Sequence, residues 1–381
     1  MTKMSKYEYL RELWPTYRKA GKTKKGQLLD DFCEFTGYHR KYAMALLAAP
    51  LAPPKRRSGG RKKIYDQAVV TAVLFIWKAT NKVCGERLQP FIPEMRDKLM
   101  ACEELVCSPD VFAKLGRVSM GTVKRIVGKE KNRSHVRIGG TTKPGSLLKS
   151  QIAVRYGRWD EVDPGFCETD TVAHCGGDVS GVFIYSLDVV DICTGWSEQA
   201  AIWGKGEQAT TQQMDTIRQR LPFSLRGLDP DNGSEFINWQ LHRYCKKHDI
   251  ELTRSRPYKK NDNAHVEQKN YVAIRQLIGY DRLEQKRQLA ILNDLYANEW
   301  RTYLNLFQPT RKLRKSVKET ATGKTKKQYY ESKTPYRRLL DHPKTTSEQK
   351  RVLQSLYNDV NPVKLLQAIE QKLELLQRTL R

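Results

Sequence analysis

The sequence predicts a multidomain α and α/β protein. Helical units stand at the N-terminus, a mixed sheet flanked by helices occupies the centre, and a basic, mostly helical region follows. Three observations predict this. The 381 residues carry 68 Lys+Arg against 42 Asp+Glu, a formal net charge of +26, yet residues 158–285 sum to −5 and leave +31 on the flanks. Basic stretches containing Gly or Pro punctuate the chain where helices should stop. Hydrophobic periodicity is helical on both flanks and strand-like in the centre.

The excess of cations points to a polyanionic partner, most often nucleic acid and less often an anionic membrane surface. The longest apolar run, Val69 to Trp77, is nine residues and contains Thr71, and a span needs about 20, so no membrane segment is expected. The first residues, Met1 to Lys6, lead into a polar amphipathic stretch and not an apolar signal region, which fits a cytoplasmic, nucleoid-associated protein. Eight scattered cysteines read as thiols in a reducing compartment.

Residues 1–52 form the first helical unit. Leu28, Leu29, Phe32 and Phe35 recur at helical spacing, Thr36-Gly37 interrupts, and a second helix carries Tyr38, Tyr42, Leu46 and Leu47. Helix, glycine turn and short helix is the helix-turn-helix pattern, and it puts Arg40 and Lys41 where side chains reach base edges. A basic linker, 53–65, supplies Lys55, Arg56, Arg57, Arg61, Lys62 and Lys63 for phosphates. A second helical unit, 66–128, begins with a mostly buried helix from Asp66 to Thr80. Val111, Phe112 and Leu115 then precede Gly116, and Ser119 caps a helix presenting Thr122, Lys124 and Arg125. An ordinary helical bundle is the alternative for both units. Residues 129–157 read as another basic linker.

The central segment, 158–285, alternates strands and helices. Strands are expected at Phe166–Val172, Val182–Val190, Ser197–Trp203, Leu225–Leu228 and Ile250–Arg254, with helices at Glu207–Leu221, Ile237–His248 and Asn263–Ile278. Asp170 falls within a strand, Asp231 just beyond another, and Glu267 on the first turns of the last helix. Sixty residues separate the first two and 35 the last two. Carboxylates in such positions are costly to bury unpaired. Mg²⁺ is the natural compensation, and two ions held by three carboxylates can clamp both oxygens of a phosphoryl transfer. Choosing Asp229 in place of Asp231 would lengthen the last gap and abandon the Asp-Asn-Gly turn. Asp188 reads as structural, Asp191 as a turn cap and Glu235 as a local ion-pair partner. His242, Cys245 and His248 on one helix read as packing and surface residues.

Glu168-Thr169-Asp170, Asp231-Asn232-Gly233-Ser234-Glu235-Phe236, and Arg256-Pro257-Tyr258 through Asn263-Ala264-His265-Val266-Glu267 carry a resemblance. Over about a third of the chain, this segment resembles the catalytic core of retroviral integrases and the DDE transposases of bacterial insertion sequences. The resemblance implies a ribonuclease-H-like fold and cut-and-join chemistry on DNA. It makes Asp170, Asp231 and Glu267 the catalytic ligands of two Mg²⁺ ions, with Mn²⁺ as a substitute. Lys259, Lys260 and Lys269 would touch phosphates, and Asn263 takes the place of a polar DNA contact. The His/Cys zinc module of the retroviral enzymes has no counterpart here, and the 60-residue gap is long for the family.

The C-terminal region, 286–381, is basic. Arg311 to Arg338 holds eleven basic and two acidic residues with Tyr329, Tyr330 and Tyr336 interleaved, and reads as a linker or arm. Leu289 to Phe307 should be helical with Leu292, Leu295, Tyr296, Trp300, Tyr303 and Leu304 as its stripe. Pro362 to Leu380 should be an amphipathic helix that pairs with another subunit or folds back. The expected function is a transposase that binds terminal inverted repeats of double-stranded DNA, cleaves 3′ ends and joins them to target DNA. It would act as at least a dimer on DNA, with the need for an ATPase helper left open. A catalytically silent DNA-binding regulator and a nuclease of the same fold are the alternatives.

Overall fold

The structure is a computed structural model that describes residues 3–51, 64–131, 153–154, 163–230, 235–254, 266, 269–318 and 325–380. They divide into two compact units, Met1–Ile64 and Tyr65–Arg381. No helix among the described residues is long and apolar enough to cross a membrane.

The first unit has three helices, α1 (Lys3–Lys19), α2 (Lys22–Thr36) and α3 (Arg40–Ala48). Gly37 ends α2 in the left-handed region at φ 69° and returns its N–H to the Cys33 carbonyl, the conformation that favours glycine after a helix. Three residues therefore separate α2 from α3. Leu10, Leu29, Phe32, Ala43 and Leu47 form the core. The stripe expected on the second helix is corrected here: Tyr42 is exposed and Ala43 and Leu47 face inward, because the helix starts at Arg40 and Tyr38 precedes it.

The second unit starts with α4 (Gln67–Ala79), α5 (Gly85–Ala101), α6 (Pro109–Gly116) and α7 (Met120–Lys131). Asp66 and Ser108 cap α4 and α6, and Ser119 Oγ accepts the Thr122 N–H ahead of α7. These helices share one apolar cluster with the C-terminal helices. Tyr303 Oη donates to the Ala79 carbonyl and Gln308 to that of Thr80. The second helical unit and the C-terminal region thus pack into the unit that holds the sheet.

Among the described residues the sheet has six strands in the order β1-β6-β5-β2-β3-β4. They are β1 (Ala153–Val154), β2 (Phe166–Ala173), β3 (Ile184–Asp191), β4 (Ser197–Trp203), β5 (Gly227–Pro230) and β6 (Glu251–Arg254). β2, β3 and β4 are antiparallel, whereas β5 runs parallel to β2 and β6 to β5. α8 (Glu207–Arg220) and α9 (Trp239–Lys247) flank it. This is the mixed sheet with flanking helices that the sequence predicts, consistent with a ribonuclease-H-like core. α8 lies within the long 60-residue gap.

Successive strand residues point to opposite faces. Cys167, Leu187, Val189, Ala200 and Leu228 make one face apolar, and Leu241 and Cys245 of α9 pack on it. The other face carries Glu168 and Asp170, with Asp188 in register opposite Asp170 and Asp229 opposite Glu168. A π-turn, Asn270–Arg275, running into Gln276–Ile278, covers this face. So does the helix Lys286–Leu295, which passes through a second π-turn, Tyr296–Trp300, into Arg301–Leu306. Its expected stripe, Leu292 to Leu304, is fully buried.

The basic segment after it is a β-hairpin, β7 (Leu313–Lys318) with β8 (Thr325–Tyr329), and not the linker that composition suggested. Three helices close the chain, Pro335–Asp341, Ser347–Asp359 and Pro362–Arg378. The last folds back on its own chain: Lys372 bridges Asp294 and Glu299 at 2.6 and 2.5 Å.

One close approach fixes the register of β5. A Cβ on Gly227 would lie 2.1 Å from the Phe166 ring, which is buried against it. Gly227→Ala should therefore cost at least about 1–3 kcal/mol through overpacking, read from the denaturant midpoint. An unchanged midpoint would mean that the ring swings clear at no cost.

Candidate active site

Asp170 lies in the middle of β2 and is half-buried. Its Oδ1 accepts the Thr171 N–H at 2.7 Å and its Oδ2 accepts the Asn270 side-chain amide at 2.6 Å. Two donors from different elements fix the carboxylate plane. Asp231 and Glu267 lie outside the described residues, as do Lys55, Arg56, Arg57, Arg61, Lys62, Lys63, Lys259, Lys260 and Asn263.

The described chain on either side of those two acids is anchored at the strand of Asp170. β5 ends at Pro230, which stands in register with Thr169. The Val266 N–H donates to Glu168 Oε2 at 2.8 Å. Glu235 is 2% exposed and accepts the Thr171 hydroxyl at 2.8 Å while pairing with Lys205 at 2.7 Å. The sequence identified it as a local ion-pair partner, and it is one. Asn238, whose amide donates to the Glu235 carbonyl, caps α9.

The neighbouring acids hold structural positions. Asp191 accepts the N–H groups of Gly165 and Thr194 and the Thr194 hydroxyl, closing the β3–β4 turn as expected. Asp229 is buried and accepts the Thr253 hydroxyl. Asp188 accepts from Gln199 at 2.8 Å and Ser197 at 3.3 Å. Burial pushes its carboxyl up, and the charge of Lys269 opposes this.

Lys269 corrects an expectation. Read from sequence as a phosphate contact, it is only 8% exposed. Burial holds its ammonium below the usual lysine range, and the charge of Asp188 acts against that. Among the described residues its ammonium makes no hydrogen bond and acts on Asp188 through its charge alone. Exposed lysine is the common case on a helix, and nothing in the local sequence separates this one. A partial signal was available for Glu168, which shares a face with Asp170 two residues away.

Arg40 and Lys41 are exposed at the start of α3, with Arg40 paired to Asp30. On α7, Arg125 is exposed, Lys124 pairs with Glu86 at 2.6 Å, and Thr122 accepts from Ser119. Among the described residues, no three His, Cys, Asp or Glu side chains converge as a metal-holding group. In α9, Cys245 is buried, while His242 meets the Trp239 ring edge-on and His248 lies tilted against Tyr244. The donor chemistry at Asp170 nonetheless suits a hard cation: carboxylate oxygen is the preferred ligand. Beside it, Asn270 Oδ1 is a buried oxygen with no hydrogen-bond partner.

No family model matches the chain. Over 306 residues, 79% of this chain and 86% of the relative, it is 36% identical to the uncharacterized protein y4rM of Sinorhizobium fredii. Among solved structures, the catalytic core domain of BIV integrase aligns over 45% of this chain and 91% of its own, at 17% identity and a TM-score of 0.28. At that score, the description of the fold rests on the strand order and register given above.

Two outcomes test the electrostatics. Lys269→Met should lower stability by less than the about 3–5 kcal/mol of a broken buried contact pair, because only the charge of Lys269 acts on Asp188, and adding Asp188→Asn should recover that loss. A Lys269 variant of wild-type stability with weakened DNA binding would restore the phosphate reading. His174 lies on the same face, with Nε2 2.8 Å from Ser186 Oγ, and burial lowers it from 6.5 to about 3. The unfolded chain then binds a proton that the native state refuses. Stability should fall as pH drops through 6.5 towards 3, by up to ~1.4 kcal/mol per pH unit. His174→Gln should remove that component from the pH dependence of unfolding; identical slopes in the two proteins would contradict it.

Proposed function

The chain belongs to the family of protein y4rM, and we propose that it is a DNA transposase or integrase with Asp170, Asp231 and Glu267 as its catalytic carboxylates. One observation carries this reading. Thr169 and Pro230 are in register and the Val266 amide is bonded to Glu168. The next residue along the chain from each of Thr169, Pro230 and Val266 is a member of the trio. The described neighbours Thr169, Pro230 and Val266 thus meet along the middle of β2, which supports bringing the three carboxylates together.

These three would hold two Mg²⁺ ions, with Mn²⁺ able to substitute. When bound, the ions supply positive charge at the attacking and leaving oxygens of a phosphoryl transfer. The chain contributes positioning. Thr171 and Asn270 hold the Asp170 carboxylate in one orientation, and Thr171 and Lys205 clamp Glu235. Hydrolysis at an element end would free a 3′-hydroxyl. That oxygen would then displace a 3′-oxygen at a target phosphodiester, joining the two DNAs without a covalent protein intermediate. Bringing two ends together calls for at least a dimer on DNA, and an ATPase helper would be a further partner.

Recognition falls to the flanks in this reading. Arg40 and Lys41 on α3, and Thr122, Lys124 and Arg125 on α7, would read the terminal repeats. The basic residues of 53–63 and the Lys259, Lys260 and Asn263 segment would contact backbone. Lys124 would have to exchange Glu86 for phosphate, and Lys269 drops out of the set.

The test uses a duplex bearing the inverted repeat that flanks the gene. The full chain should nick the 3′ end and join it to plasmid DNA in Mg²⁺. Asp170→Asn, Asp231→Asn and Glu267→Gln should each bind the duplex normally yet lose at least about 10³-fold in rate, comparable to removing one key electrostatic group elsewhere. Binding without any chemistry in the wild type would identify a silent regulator. Cutting without joining would identify a nuclease.

A further inference from the structure

The β7–β8 hairpin is a ribbon with no core of its own. Leu313 is 49% exposed, Val317 41%, Tyr329 40% and Tyr330 57%. The register pairs Leu313 with Tyr329, Lys315 with Gln328 and Val317 with Lys326, and a bulge falls between Leu313 and Lys315. Alternation therefore puts Leu313, Tyr329 and Lys327 on one face and Lys315, Val317, Lys326 and Tyr330 on the other. Both faces mix aromatic or aliphatic groups with lysine, so neither is built to lie on an apolar surface. A two-stranded ribbon in water is marginal by itself.

The ribbon carries no acidic residue in either strand. Arg311 stands over the Tyr329 ring at 4.7 Å and Arg314 over Tyr330 at 5.8 Å. These pairings stiffen the cations against the ribbon. The base of the ribbon is rigid. Lys312 Nζ donates to the carbonyls of Ile192 and Cys193, and Arg338 donates to Thr194 and to Thr310. Thr310 and Lys333 exchange backbone hydrogen bonds below it. The β3–β4 turn that Asp191 closes is thus the platform from which the ribbon projects.

We propose that this hairpin is a duplex-binding ribbon that enters the major groove of DNA, with Lys315, Lys326 and Lys327 on the phosphates of the groove walls. The major groove, about 12 Å wide, admits a two-stranded β-ribbon. A polyanion on both sides at once is what cations on both faces fit, whereas a flat anionic surface would engage only one. The inference rests on the reading of the chain as a DNA-acting protein and adds a site outside the carboxylate trio.

The experiment compares the full chain with Lys315→Gln/Lys326→Gln/Lys327→Gln by fluorescence anisotropy on a 30-base-pair duplex. The plot of log affinity against log salt should flatten by roughly 2.7 in the variant, taking about 0.9 per phosphate. Between 50 and 200 mM salt the wild type should then lose roughly 40-fold more affinity than the variant. On a duplex whose cytosines carry glucosylated 5-hydroxymethyl groups, which fill the major groove, the two slopes should coincide. Equal slopes on the plain duplex overturn the proposal, as does a difference that persists on the filled groove. An effect confined to anionic vesicles or to single-stranded RNA overturns it in favour of those partners. Circular dichroism melting confirms that the variant is folded. The joining assay run on the same triple variant and on wild type reports the catalytic reading by itself, so its failure and failure of the ribbon are seen separately.

Discussion

Much of the second unit follows from the need to cover one acid-bearing face of the sheet. Glu168, Asp188 and Asp229 are all fully buried there, with Asp170 half-buried between them. Burying a carboxylate without donors is among the most costly events in folding. The elements that cover this face accordingly bring polar groups as well as apolar ones. The Val266 N–H, the Lys269 ammonium and the Asn270 amide all come from the stretch that leads into the Asn270–Arg275 π-turn. The π-turn is a wider local winding often retained at functional sites. Here it begins at the residue that holds Asp170.

The opposite problem arises at the sheet's edge. β4 is the last strand, and an exposed edge presents unpaired backbone groups to any passing strand. Two asparagines on the adjoining helix close it. Asn293 takes both the N–H and the carbonyl of Ala201, and Asn305 does the same at Ser197. Each amide side chain thus stands in for one residue of a missing strand. Arg301 on the same helix pairs with Glu198, which is fully buried and also accepts the Trp196 indole N–H. The helix is therefore welded to β4 by polar contacts along one side, while Tyr303 reaches back to Ala79 on the other. This explains why the second helical unit and the C-terminal helices do not separate from the sheet as independent domains.

Much of this was legible from sequence because it depends on local pattern. The strands, the helical stripe from Leu292 to Leu304, the cap at Asp191 and the position of Asp170 within a strand follow from periodicity and turn chemistry. What was not legible depends on long-range register. Lys269 looks like any surface lysine until Asp188, 81 positions away in the sequence, is found beneath it. Asn270 has no distinguishing neighbours until the helix lies over β2. The hairpin was hidden for a different reason. Its bulge breaks the alternation, and its side chains are too polar on both faces to show an inward one, so composition pointed to a linker.

The buried carboxylates also change how the charge of the central segment should be understood. Residues 158–285 are acidic by count, which would repel a polyanion if all that charge faced solvent. Glu168, Asp188, Asp191, Glu198, Asp229 and Glu235 are all buried. Glu198 is paired with Arg301 and Glu235 with Lys205, and the charge of Lys269 favours the ionised form of Asp188. Neutralised pairs cast little field at a distance. What the segment shows to solvent is therefore far less acidic than its composition, and Asp170, half-exposed among enclosed neighbours, is left as a local negative centre. On the proposed reading, a site that draws a cation and admits a phosphate backbone needs that combination. Acids concentrated at one point, with the others sealed behind their own donors, provide it. The same enclosure fixes the Asp170 strand rigidly enough for its carboxylate to keep one orientation.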